Sequence, residues 1–248
     1  MARIFPLSEG TFTIGHDKLF VPFESSKDVL TDRPTGSLLV EVQPFLVQKG
    51  NDLILLDTGL GFNLEGGEMQ LHHNLRQHGF EPGDITRVLL SHLHKDHAGG
   101  VTHRNAAGVF QASLPNAVYY IYRPEAEAAL ATGYPSYMPE ELEPLFQSGQ
   151  VEWLEQGSGT IGGDIHYFHS GGHSREHIVF LIEDNGDKIF FGGDEAPQLK
   201  QMKMKYVAKY DYDGKKAMQL REEYAEKGRV EQWQFLFYHD VKSPVAQL

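Results

Sequence analysis

Val88-Leu89-Leu90-Ser91-His92-Leu93-His94-Lys95-Asp96-His97-Ala98-Gly99-Gly100 is the stretch on which the reading turns. An apolar run ends at Ser91, and an H-x-H-x-D-H pattern follows at once. Three imidazoles and a carboxylate this close are hard to explain without a cation. Neutral imidazole and ionised carboxylate are good donors for zinc and similar metals. Two ligand pairs offset along one loop can serve two ions rather than one. The strand end predicted at 88–91 would deliver these side chains at fixed geometry. The two glycines after them would let the chain turn tightly and begin a helix without crowding the ions.

Further candidates lie downstream, each where an apolar or strand-like run ends. His173 sits in Ser170-Gly171-Gly172-His173-Ser174, after a strand predicted at 166–169. Asp194 closes Phe190-Phe191-Gly192-Gly193-Asp194, and His239 closes Phe235-Leu236-Phe237-Tyr238-His239. A lone acid at the end of a buried strand needs a partner, because an unpaired buried carboxylate is costly. Cations would supply one.

The bulk numbers fit an enzyme of this kind. The chain has 248 residues, 40% of them hydrophobic, enough for one large domain over 1–248 with a substantial core. It contains no cysteine, so a metal site must use nitrogen and oxygen ligands. A net charge of −12 argues against nucleic acid, which usually meets a basic face. The short run Lys200, Lys203, Lys205 reads as a solvated face. No apolar stretch approaches membrane-spanning length and the N-terminus has no leader-like apolar core, so a cytoplasmic protein without membrane contacts is expected.

Strand signals fall into two groups. The first covers 4–7, 11–14, 38–47 and 53–57; the second covers 166–169, 178–183 and 188–192. Short strands at 87–91 and 117–121 lie between them. Lys49-Gly50-Asn51-Asp52 and Asp184-Asn185-Gly186-Asp187 read as hairpin turns. Helical patterns appear at 68–78, 124–131, 140–147 and 214–227. Two β-rich halves flanked by helices predict an α+β fold, a four-layer αβ/βα sandwich with its site along one edge. Segment 17–36 lacks periodicity and reads as a long loop, either a lid over a pocket or packing on the N-terminal strands.

With these residues in place, the chain resembles the metallo-β-lactamase superfamily, and within it the N-acyl-homoserine lactonases and organophosphate-hydrolysing relatives. The resemblance runs from Asp57-Thr58-Gly59 to His239-Asp240. It implies two divalent cations, expected to be zinc: one held by His92, His94 and His173, the other by Asp96, His97 and His239, with Asp194 bridging both. It also implies that Asp57 orients a ligating histidine and that His177 has a supporting role. True β-lactamases of the superfamily lack the bridging acid, and its redox di-iron relatives carry an acid where this chain has His94. A dinuclear hydrolase is the remaining expectation, attacking an ester or lactone with hydroxide generated between the cations. An N-acyl-homoserine lactone is the first candidate substrate; phosphotriesters and thioesters are alternatives. Glyoxalase-II-like thioesterases share the seven ligands, but no basic cluster for a glutathione carboxylate is visible. A non-catalytic metal-binding domain is disfavoured by the complete ligand set.

The chain departs from the pattern at one point. Several small lactonases carry a tyrosine three residues after the bridging acid, and here that position is Pro197. Tyr210 or Tyr212 could supply the hydroxyl instead, with Asp96, Asp194 and Tyr210 as the catalytic candidates. Tyr134, Tyr137 and Met138, with Phe20 and Phe23, either line an acyl pocket or pack in the core. The oligomeric state stays open, a homodimer included.

Overall fold

Alternation of apolar residues builds three apolar layers into this chain. In the computed structural model, which describes residues 2–248, each layer separates two layers of backbone. The N-terminal half runs β1 (Arg3–Pro6), β2 (Gly10–Ile14), β3 (Phe20–Pro22), β4 (Leu38–Val42), β5 (Phe45–Lys49), β6 (Asp52–Leu56), α1 (Gln70–Gln77), β7 (Arg87–Leu89), α2 (Lys95–Ala98), β8 (Thr102–Arg104), β9 (Phe110–Ala112), β10 (Val118–Tyr122), α3 (Arg123–Thr132), α4 (Pro139–Phe146) and β11 (Val151–Leu154). The C-terminal half runs β12 (Ser158–Ile161), β13 (Ile165–His169), β14 (Ile178–Asp184), β15 (Asp187–Phe191), α5 (Leu199–Met202), α6 (Gly214–Glu231), β16 (Gln234–Leu236) and β17 (Val245–Ala246).

The first half forms a six-stranded sheet in the order β1-β5-β6-β7-β10-β11, and the second a six-stranded sheet in the order β12-β13-β14-β15-β16-β17. Strand alternation decides which face each residue buries. On β6, Ile54 and Leu56 face the other sheet, where Phe180, Ile182 and Phe191 meet them. Leu53 and Leu55 face outward beneath Leu71 and Leu75 of α1 and Leu142 and Leu145 of α4. On the far side, Val179, Leu181, Phe190 and Phe235 lie beneath Met202 of α5 and Ala225 of α6. Helices, sheet, sheet, helices is the αβ/βα order that the sequence pattern predicts.

The hairpins form as their turn residues demand. Asn185 and Gly186 both take positive φ, 51° and 92°, the two-residue turn that suits a right-twisted hairpin. One predicted strand divides. Segment 38–47 splits into β4 and β5 at Gln43-Pro44, because proline lacks a ladder donor and fixes its φ. β5 joins the large sheet, whereas β4 joins β2 and β3 in a small three-stranded sheet. β3 lies within 17–36, so that segment is not all loop: Phe20 pairs with Ile14 and Val21 with Thr13. β11, β12 and β17 carry no strong alternation and were not predicted.

Candidate active site

All seven residues singled out as metal ligands converge at one edge of the sandwich, where the two sheets meet. The N-terminal half brings four of them on one short connection. His92 and His94 follow β7, while Asp96 and His97 occupy α2 itself. Gly99 and Gly100 therefore end that helix rather than begin one. Their role is close packing: a Cβ on Gly61, which has φ +72°, would lie 2.1 Å from the carbonyl oxygen of Gly99. The second half contributes His173 beyond β13, Asp194 beyond β15 and His239 beyond β16. His239 sits in the turn three residues past its strand rather than at the strand's last residue.

Three trios of donors result, one of them Asp57 with His92 and His97 behind the site, and the other two face a cavity. His92, His94 and His173 place one nitrogen each within 4.8 Å of the others, as do Asp96, His97 and His239 with a carboxylate oxygen and two nitrogens. Asp194 lies between these latter two trios. Its Oδ2 is 3.2 Å from His173 Nε2; its Oδ1 is 3.2 Å from His97 Nε2 and 3.0 Å from His239 Nε2. His97 Nε2 and Asp194 Oδ1 are buried with no hydrogen-bond partner. Such orphaned atoms are uncommon and call for an explanation. His92 Nε2 and His94 Nδ1 face each other at 2.9 Å, an arrangement of facing nitrogens that suits a shared cation.

Electrostatics agree with that donor chemistry. Burial, and then the neighbouring histidines, hold His92 well below the usual imidazole range; burial and His173 do the same to His94. Both are therefore neutral donors. For His97, His173 and His239 burial is the largest influence and disfavours charge, but Asp194 together with other carboxylates, Asp96 at His97 and His239 and Asp211 at His173, outweighs it and raises all three. A field that draws protons to these nitrogens also draws cations. Burial works against ionised Asp194 too, yet His239, His97 and His173 hold its carboxyl well below the usual range.

Three of the imidazoles, those of His97, His173 and His239, are held from behind. His97 Nδ1 donates to Asp57 Oδ2 at 2.6 Å, and the Asp57 carboxylate also accepts from the Ser91 amide and hydroxyl, both at 2.7 Å. Asp57 takes a left-handed φ of 56° to reach them, an uncommon conformation for a residue other than glycine. His239 Nδ1 donates to the Glu41 carbonyl at 2.6 Å. These bonds fix which nitrogen faces the centre. The Tyr238 ring stacks on His97 at 4.0 Å, and its hydroxyl donates to the Asp96 carbonyl. His177 does not face either trio. Its Nε2 accepts from the Asp194 amide at 3.2 Å and its Nδ1 meets Ser170 Oγ at 2.9 Å.

Sequence reasoning missed three carboxylates. Asp211 Oδ1 accepts from His173 Nδ1 at 2.9 Å. Glu195 Oε2 accepts the amides of Gly172 and His173 and so shapes the His173 loop. Glu125, on α3, accepts the Leu93 amide at 3.0 Å inside the H-x-H step, and burial raises its carboxyl to about 7. Position beside Asp194 was the only signal for Glu195, and position between two tyrosines the only one for Asp211.

A cavity of about 820 Å³ opens onto the trios. His94, Asp96, His173, Asp194 and His239 lie at its floor, and Phe20, Pro197 and Tyr210 on its walls. Tyr210 sets its ring edge-on to His173 at 6.0 Å although the residue is 43% exposed, whereas Tyr212 is more exposed still, at 66%. Of the expected acyl-pocket aromatics only Phe20 lines the cavity. Tyr137 is buried among core residues with its ring 4.9 Å from His94, and Tyr134 is exposed. Lys200 is exposed, as a solvated face predicts, yet it also stands at the cavity. Lys200 lines the cavity with Lys18, Lys95 and Lys209, residues far apart in sequence and gathered by the fold. Lys203 and Lys205 are exposed, as expected.

Residues 39–230 match the family model described as the metallo-beta-lactamase superfamily, and the chain belongs to that superfamily. Among solved structures, a probable metal-dependent hydrolase from Staphylococcus aureus superposes with a TM-score of 0.81 at 24% identity, over 99% of this chain and 92% of that one. AidC, a dizinc quorum-quenching lactonase, superposes with a TM-score of 0.74 at 18% identity, over 99% and 90%. Among curated proteins, an atrochrysone carboxyl ACP thioesterase of Pseudocercospora fijiensis is 30% identical over 61% of this chain and 38% of its own length. The N-acyl homoserine lactonase AiiB of Agrobacterium fabrum is 32% identical over 40% and 42%. The chain thus spans about two-fifths of the length of these curated relatives. Among the described residues no helix is long and apolar enough to cross a membrane.

Proposed function

We propose that this chain, a metal-dependent hydrolase by family, cleaves a lactone or related ester at a dinuclear centre. N-acyl-homoserine lactone is the first substrate to try. The observation that carries the reading is Asp194, whose two oxygens point one to each donor trio. His92, His94 and His173 would hold one ion and Asp96, His97 and His239 the other, with zinc the expected metal. When bound, two such cations supply a hydroxide near neutral pH and an electrophile for the carbonyl. Asp57, Asp211 and the Glu41 carbonyl keep three imidazoles in the ligating tautomer.

Tyr210 takes the part of the missing tyrosine at Pro197. Burial raises its phenol above the ordinary range, so it stays protonated and can donate to the substrate carbonyl or the departing oxygen. Tyr210→Phe should lower kcat about tenfold to a hundredfold with little change in KM, the pattern of a donor used mainly in the transition state. An unchanged kcat would remove Tyr210 from the chemistry.

A thioester is the second reading. It draws on the similarity to ACP thioesterases and on the lysines in the cavity. Metal content of the purified protein, measured with proton release from a lactone and thiol release from a thioester, tests both. Two ions per chain with fast lactone opening supports the first reading; thioester cleavage alone supports the second. Turnover of neither, nor of a phosphotriester, with the metals loaded would overturn the hydrolase assignment.

A further inference from the structure

The chain has twelve more acidic than basic residues, yet four lysines line its cavity. The only acids lining it are Asp96 and Asp194, and both are turned toward the histidine trios. Among the described residues none of Lys18, Lys95, Lys200 and Lys209 forms an ion pair, a state they share with exposed lysines such as Lys203 and Lys227, whereas Lys27, Lys49, Lys188 and Lys205 are paired. Two of the four are fixed on one wall. Lys18 Nζ donates to Ser136 Oγ at 2.5 Å, and the Lys95 amide donates to the Ser136 carbonyl at 2.9 Å. The Lys95 ammonium lies over the Phe20 ring, 5.7 Å from its centre. Lys18 holds this place with a left-handed φ of 58°, a conformation that side-chain-bearing residues rarely take. Lys200 and Lys209 come from the chain after Asp194, near Met204 and Val207. Much of the remaining lining is apolar, Ile14, Leu38 and Val40 included.

We propose that the cavity selects a substrate with one apolar acyl arm and one arm bearing a carboxylate or phosphate, the anion being held by Lys18 and Lys95 with Lys200 and Lys209 at the mouth. This rests on the reading of the cavity as the substrate site, and within that reading it favours the thioester over an uncharged lactone. The reaction is unchanged: water adds to the acyl carbon, the bond to the leaving oxygen or sulfur breaks, and a proton returns to the leaving group. The lysines act before that step, by drawing in and orienting the anion. Ammonium groups without an ion-pair partner around a cavity raise the local concentration of anions, and salt screens the effect. A lactone lacking charge would leave all four lysines unused.

The experiment uses three hexanoyl thioesters of similar size with the metal-loaded protein. Their thiols are neutral, carboxylate-bearing and phosphate-bearing. The matching amides, which resist cleavage, are titrated by calorimetry. The anionic compounds are expected to show kcat/KM and affinity at least tenfold above the neutral one at low salt. That preference should shrink severalfold at 0.5 M salt. Comparison of the carboxylate and phosphate arms tells which anion the wall fits. Lys18→Gln and Lys209→Gln should reduce the anionic-to-neutral ratio, while Lys227→Gln on exposed α6 should not. Equal binding of neutral and anionic amides, or a ratio untouched by Lys18→Gln, would overturn the proposal. Anion-selective binding without any turnover would keep it and discard the hydrolase reading instead.

Discussion

Asp211 is one side chain whose only visible task is to hold another. Its Oδ1 fixes the His173 ring, and its own side chain is almost fully buried, at 1% exposure. Partners of this kind commonly contribute tenfold to a hundredfold in metal affinity. Asp211→Ala should therefore lower metal occupancy of the His92–His94–His173 trio by about that factor, read by competition with a chromophoric chelator. Asp211→Asn should recover part of it, because the amide oxygen can still accept from His173 Nδ1. An Ala variant with wild-type metal affinity would show that the Asp211 contact is incidental. The contrast between Asp211 and His92 shows what is legible in sequence. Ligand chemistry packed into His92–His97 is local, so its spacing alone exposes it. Asp211, Glu195 and Glu125 approach their partners only after folding, and each is 22 or more residues from the group it supports.

At the scale of elements, the sequence was most informative where an apolar period had room to repeat. α6, β14 and β6 lie close to their predicted limits. Short strands such as β12, with residues Ser158 and Gly159, have no alternation to read, because pairing with β13 rather than side-chain pattern makes them strands. Pro44 carried a signal that the continuous apolar run outweighed. The junction of α2 with the loop after β6 makes its own demand. Gly61 faces the Gly99 backbone so closely that no side chain fits, and its φ is positive as well. Gly61→Ala should destabilise the protein by about 3 kcal/mol or more, combining backbone strain with a clash that must displace α2. Urea unfolding checks this, and metal content should fall with it. A loss under about 1 kcal/mol would mean the two segments can separate cheaply.

For the whole molecule, buried acids make stability depend on pH. Glu9 is buried beside Gly59; one carboxylate oxygen accepts the Leu60 amide at 2.7 Å and the other has no partner. Burial raises its carboxyl to about 8, against 4.5 for the free side chain. A raised acid binds its proton more tightly when folded, so its contribution is full below pH 4.5 and is lost as pH rises toward 8. Glu9→Gln removes that ionisation. Relative to wild type, the variant should gain on the order of 1 kcal/mol or more between pH 5 and pH 8 in denaturant titrations. A difference independent of pH would place the Glu9 proton elsewhere.

The proposed ligands are divided between the halves: His92, His94, Asp96 and His97 arrive from one sheet, and His173, Asp194 and His239 from the other. Neither half alone completes a coordination sphere, since His173 closes the first trio and His239 the second. Bound ions would thus act as cross-links between the two sheets, contributing to folding by mass action as well as to reactivity. Chelation should lower the unfolding midpoint by several degrees, and restoring metal at 100 times its dissociation constant should return about 2.7 kcal/mol per independent site. A melting curve unmoved by chelator would mean that the interior layer between the sheets joins them without help from the edge. If the midpoint does move, loss of metal and loss of structure become one event, and a cell short of metal would clear this protein rather than store it idle.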